Sequence, residues 1–142
     1  MSAETKAISR RLLEEAFNGG NLAVVDELVD AGFVNHDPAT GGQAHGIEGA
    51  KANIGAYRAA FPDLRIAIER QLAEGDYVVT RWTARGTHHG ELMGLAPTGK
   101  QSTVTGITID RIRAGRIVES WSNWDTLGML QQLGAIQALT TA

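Results

Sequence analysis

The apolar residues of this 142-residue chain change period at Phe61-Pro62, and that change restricts the folds open to it. Before it, Ile47, Ala50, Ile54, Tyr57 and Phe61 recur at three- and four-residue intervals, as in a helix with one buried stripe. After it, Leu64, Ile66 and Ile68 alternate with Arg65, Ala67 and Glu69, as in a strand that continues to about Ala73. Pro62 marks the border because its ring fixes φ and it has no N–H to continue a helix.

Helical spacing also governs the residues before that stripe. Ile8, Leu12, Leu13, Ala16 and Phe17 form one face of a helix from Ser2 to Asn18, and Gly19-Gly20 stops it. Asn21 can cap a second helix carrying Leu22, Val25, Leu28 and Val29 as far as Ala31-Gly32. FVNHDPATGGQAHG then reads as a short extended piece and a Gly- and Pro-rich loop holding His36, Asp37 and His45. Beyond Pro62 the strands are long. Glu74-Gly75-Asp76 turns the chain into a strand with Val78, Thr80, Trp82, Ala84 and His88 on one face and Tyr77, Val79, Arg81 and Arg85 on the other. A loop from Leu92 to Lys100 leads to a strand from Thr103 to Arg113. There Ile107 and Ile109 lie in one phase and Ile112 in the other, which a bulge near Asp110-Arg111 would reconcile. Ile117 to Gly134 begins as a strand and becomes a helix marked by Leu127, Leu130 and Leu133, with Asp125 at the junction.

Three helices, a meander of strands and a final helix predict an α+β fold in which a curved antiparallel sheet wraps around the N-terminal helices. Such a sheet leaves a pocket at its open end. One domain over residues 1–142 is expected, with 135–142 as a frayed tail. Composition narrows the partners. A net charge of −3 with 13 scattered Lys and Arg provides no basic field for nucleic acid. Cysteine is absent, which excludes disulfides and thiolate metal sites. The N-terminal residues lack the apolar core of a signal peptide and no apolar run is long enough for a membrane helix, so a cytoplasmic protein is expected.

Asn35-His36-Asp37-Pro38, Phe61-Pro62-Asp63, Thr87-His88-His89-Gly90, Pro97-Thr98-Gly99-Lys100 and Glu119 to Gly134 occur in an order and spacing that resemble the SnoaL-like polyketide cyclase family. Its members share the cone-shaped α+β barrel of nuclear transport factor two and ketosteroid isomerase. The resemblance implies an intramolecular aldol closure of a polyketide by an aspartate acting as general acid and base, without metal or organic cofactor. By motif that aspartate is Asp125. Two roles stand open for it: apolar walls formed by Trp121, Trp124 and Leu127 would raise its pKa and suit it to proton transfer, whereas a helix N-terminus favours Asp merely as a cap. The family likeness weighs toward catalysis.

His36 is the second catalytic candidate, as a carbonyl-polarising or proton-relaying imidazole. Trp82, His88, Trp121 and Tyr57 are expected to line the pocket and hold a small apolar or aromatic, polyketide-like ligand. No metal site is expected, since adjacent His88 and His89 point to opposite faces of a strand. A homodimer through the outer sheet face is expected. The alternatives are a binding module that does not convert its ligand, and an epoxide hydrolase or isomerase, which would need a second charged group such as Arg81 or Asp63 beside Asp125.

Overall fold

The computed structural model describes residues 2–40 and 42–137, without the side chains of residues 40–44. Helix α1 (Ser2–Arg11) continues into a π-helical segment, Leu12–Asn18, and is followed by α2 (Ala23–Leu28). Strand β1 (Val29–Asp37), a 3₁₀ turn (Pro38–Thr40) and β2 (Gly42–His45) lead to α3 (Gly46–Ala60). Strands β3 (Arg65–Glu74), β4 (Tyr77–Thr87), β5 (Gln101–Arg113) and β6 (Arg116–Trp124) precede α4 (Thr126–Gln132). The sheet runs β2-β1-β6-β5-β4-β3, antiparallel throughout except that β1 lies parallel to β6. The expected α+β class, with helices gathered against one antiparallel sheet, is the observed one.

Three boundaries differ from expectation. The second helix stops at Leu28, because Val29 opens β1 and pairs with Ile117 of β6. The stretch read as a loop is a hairpin: β2 folds back on β1 with His36 opposite Gln43 and Asp37 opposite Gly42, so His36 and Asp37 sit on a strand. In β5 the buried face is Ser102, Val104, Gly106, Asp110 and Ile112, while Ile107 is 47% exposed on the other side. The sheet irregularity falls between Arg111 and Ile112, where β6 slips by a residue between Glu119 and Ile117. Part of the expected frayed tail, residues 138–142, lies outside the described residues, as does Gly41 of the Gly41-Gly42 pair.

The apolar stripes pack as their periods predict. Ala50 and Ile54 of α3, Val25 and Leu28 of α2 and Ala16 of the π segment meet Val29, Phe33, Val78, Ile112 and Ile117 of the sheet. A second cluster joins Ala60, Phe61, Ile66, Trp82, Ala84 and Val104 to Met129 and Leu133 from α4. Full burial of one such Leu or Ile side chain contributes about 1.5–3 kcal/mol. Helix α4 is thus held by its Met129 face, and Leu127 on the opposite face is 54% exposed.

Candidate active site

The concave face of the sheet, α3 and the N-terminal helical segment enclose a cavity of about 140 Å³. Strand alternation decides its floor. Val78, Thr80, Trp82, Ala84 and Gly86 on β4 face inward, opposite Asp110, Thr108, Gly106, Val104 and Ser102 on β5. Ser120, Ser122 and Trp124 of β6 continue the rows beside Asp110, Thr108 and Gly106. On β1, Asn35 is registered with Ser120, and Asp37 lies one inward step further on.

One end of the floor is therefore aromatic and the other polar. The Trp82 ring lies against Gly106, where a Cβ would meet Cζ2 of Trp82 at 2.3 Å and Cβ of Trp124 at 2.7 Å, so only glycine fits beneath it. Trp82 Nε1 donates to Thr108 Oγ1 at 3.0 Å, and Thr108 shares a hydrogen bond of 2.9 Å with Ser122. Leu12, Leu13, Phe17 and Ile54 form the apolar roof.

Two carboxyl groups belong to this cavity. Asp110 is buried, and its oxygens accept from Ser9 Oγ of α1 at 2.7 Å and from Ser120 Oγ. Burial pushes its pKa up, because removal from water disfavours the charged form; the Ser120 and Ser9 hydrogen bonds oppose this only in part. Asp37 accepts from the Ala39 amide at 3.0 Å, from Tyr57 Oη at 3.1 Å and from Trp124 Nε1 at 3.3 Å. Burial, followed by the adjacent Asp37 carboxylate, pushes the Tyr57 phenol well above its ordinary value, so it is a proton donor at neutral pH. The cavity thus combines an apolar body with proton-bearing groups at two places, Asp110 beside Ser120 and the Tyr57–Asp37 pair beside Trp124, an arrangement that can bind a flat molecule and move its protons.

Residues 7–133 match the family model described as SnoaL-like polyketide cyclase. The chain belongs to the SnoaL-like polyketide cyclase family. It is 34% identical over 124 residues to the nogalonic acid methyl ester cyclase of Streptomyces nogalater, a match covering 84% of this chain and 90% of the relative. Among solved structures it is similar to IdmH of Streptomyces antibioticus, with 39% identity, a TM-score of 0.79 and coverage of 92% of this chain and 98% of IdmH. It also resembles a SnoaL-like protein from Jannaschia sp. CCS1, with 25% identity, a TM-score of 0.87 and coverage of 95% and 94%.

Within this SnoaL-like fold the residues expected to form the site separate. Trp82 and Tyr57 line the cavity. Asp125 does not: it is exposed, and its carboxylate caps α4 by accepting from the Gly128 amide at 2.8 Å. His36 also lies elsewhere. Alternation along β1 sends Asn35 and Asp37 inward and His36 outward, where its ring stacks on Trp121 at 5.4 Å and its Nε2 meets Glu119 at 2.8 Å. Trp121 is therefore on the outer face as well, 6.3 Å from Tyr77. His88 is fully buried beyond the cavity's lining, with Nδ1 held by the amide and hydroxyl of Thr98 and its ring 5.6 Å from that of Phe61. Asp63 accepts from the amide and hydroxyl of Thr87, and Arg81 is exposed on the outer face, so neither stands beside Asp125 in the cavity. Among the described residues no three His, Asp or Glu side chains gather as a metal site.

Of the polar groups that line the cavity, Asp37 was noted from sequence only as a loop residue without an assigned role, and Asp110, Ser9 and Ser120 were not singled out. A signal for Asp110 was present: Ser102, Val104, Gly106, Thr108, Asp110 and Ile112 alternate without a break. Ile107 and Ile109 masked it by marking the outer face as the apolar one. For Asp37 the signal was Phe33-x-Asn35-x-Asp37, a period-two run ending at Pro38.

Proposed function

We propose that this protein closes a ring in a small, largely apolar polyketide-like molecule by cofactor-independent intramolecular aldol chemistry, with Asp110 as a proton carrier. In this reading the proton-transfer role expected of Asp125 passes to Asp110. The observation that carries it is a buried carboxyl group, its pKa raised by desolvation, at the polar end of an aromatic cavity. A polyketide supplies its own nucleophile, since the carbon between two carbonyls enolises readily. As that carbon bonds to the acceptor carbonyl carbon, the carbonyl π pair moves onto oxygen, which takes the Asp110 proton. The enol O–H proton is released in the same event and passes to a base, so the ring-closed product is an isomer of the substrate. Trp82 and Tyr57 hold the ring system. The homodimer expected through the outer face forms part of this proposal, with Tyr77 45% and Ile107 47% exposed there.

Nogalonic acid methyl ester, named in the relative's activity, is the first substrate to test. The wild type is expected to convert it to an isomer of equal mass and new retention time. Asp110→Asn should lower kcat by about 10²–10⁴-fold, the usual range for removal of a general acid. Quenching of tryptophan fluorescence reads binding independently. Binding without turnover in the wild type would make the protein a binding module, and an undiminished rate in the variant would remove Asp110 from the chemistry.

A further inference from the structure

Ring closure leaves one proton to be collected, and the cavity contains a pair arranged to collect it. Tyr57 reaches the cavity from α3 and Asp37 from β1; both line it, and a 3.1 Å hydrogen bond joins the phenolic O–H to the carboxylate. Asp37 is only 7% exposed, and its carboxylate is held by the Ala39 amide and Trp124 Nε1. With its O–H directed at Asp37 and the Trp124 indole N–H also against its oxygen, the Tyr57 phenol keeps one lone pair with which to accept, but not donate, a hydrogen bond from a ligand.

We propose that Tyr57 is a catalytic residue of this cavity: its oxygen takes a proton from the ligand as its own O–H proton passes to Asp37. The inference rests on the cyclase reading for its biological role, but the transfer itself does not require a particular substrate. The ligand's C–H or O–H bond breaks, and its electron pair stays on the ligand as an enolate or in the new C–C bond. A new O–H bond forms on Tyr57 while the old one breaks, and Asp37 ends protonated. The raised pKa of Tyr57 is consistent with a conduit rather than a stored phenolate. After turnover, Asp37 returns its proton and Asp110 regains one by exchange with solvent. Asp37 is a positioning and proton-accepting residue that acts through Tyr57. Asp110 and Asp37 thereby divide the work that one aspartate would otherwise perform alone.

A purely architectural role makes a different prediction, since Tyr57 and Trp124 could simply clamp the β1–β2 hairpin through Asp37. The flat probe 5-nitrobenzisoxazole separates the two. Removal of its C3 proton by a base breaks the N–O bond and releases a coloured phenolate, without any need for the natural substrate. The wild type is expected to accelerate this reaction. Tyr57→Phe and Asp37→Asn should each lower the rate by about 10²-fold, and the double variant should be no slower than either, because the two residues act as one unit. The wild-type rate should show an acid limb that disappears in Tyr57→Phe, a change that loss of a clamp would not produce. An unchanged rate in Tyr57→Phe, or no acceleration by the wild type, would overturn the relay. Failure on the probe with turnover of nogalonic acid methyl ester would leave the cyclase reading standing, and the reverse result would leave the relay without it.

Discussion

The pairing of Asp125 with Gly128 predicts an energetic coupling that separates a cap from a catalyst. Asp125 Oδ1 accepts from the Gly128 amide at 2.8 Å, and a Cβ on Gly128 would stand 2.1 Å from Oδ2. Asp125→Ala removes the cap and should cost about 1 kcal/mol. Gly128→Ala gains roughly 1 kcal/mol of helix propensity but drives the carboxylate off its amide, losing a similar amount, so alone it should be near neutral. Once Asp125 is already alanine the clash is gone, and Gly128→Ala should stabilise by the full amount, about 1 kcal/mol. The coupling between the two sites is then about 1 kcal/mol, well outside the roughly 0.3–0.5 kcal/mol scatter of independent sites. Urea unfolding of the four proteins at constant m-value measures it. Additive effects would refute the cap. Asp125→Asn supplies the second arm: Asn is as good a cap, so stability and turnover should both persist. Lost turnover with unchanged stability would return the catalytic role to Asp125.

Two further perturbations test the fold around the site. Glu119 is held below its ordinary value of 4.5, first by the His36 hydrogen bond and then by Arg111, so its contribution to stability is present above pH 4.5 and is lost as pH falls through the lowered value. The stability difference between the wild type and Glu119→Gln should therefore be constant at neutral pH and shrink on acidification, and a pH-independent difference in urea titrations would refute this. Gly106→Ala forces a methyl group against Trp82 and Trp124 and should cost about 1–3 kcal/mol with a shifted tryptophan emission. A neutral substitution would show that Trp82 does not lie flat on the sheet.

The helices and long strands were legible because each buries one stripe or face against a core, and burial writes a period into the sequence. Ile47 to Phe61 and Leu64 to Ile68 are such cases. The cavity broke that rule. Where a sheet faces a ligand space its inward positions become polar or small, as at Gly106, Thr108 and Asp110, while Ile107 and Ile109 occupy the outer side. Apolar residues alone therefore do not mark the inner face of β5. His36 was displaced for a related reason. Pro38 and Gly42 made the β1–β2 hairpin look irregular, and on a strand the residues flanking His36 are the ones turned inward. The capping role of Asp125 was readable from its place before Thr126, and the family likeness weighed against it. Ser9 could not be read as part of the site, since a serine on a helix stripe acquires meaning only from Asp110, which reaches it through the tertiary fold.

The parallel pairing of β1 with β6 has a consequence for the order in which the molecule assembles. Tight turns join β3 to β4 and β5 to β6, and the 88–100 loop links the two pairs, so this meander can form from contacts between consecutive strands. Strand β1 finds a local partner in β2 along one edge, but its other edge must wait for β6, which lies near the other end of the chain. Asn35 and Asp37 ride on β1, so the wall that carries them closes last. The candidate cavity should thus be completed in refolding only after most of the sheet has formed. A chain cut before Arg116 would keep every helix preceding the sheet yet have no strand on which to hang half of its site.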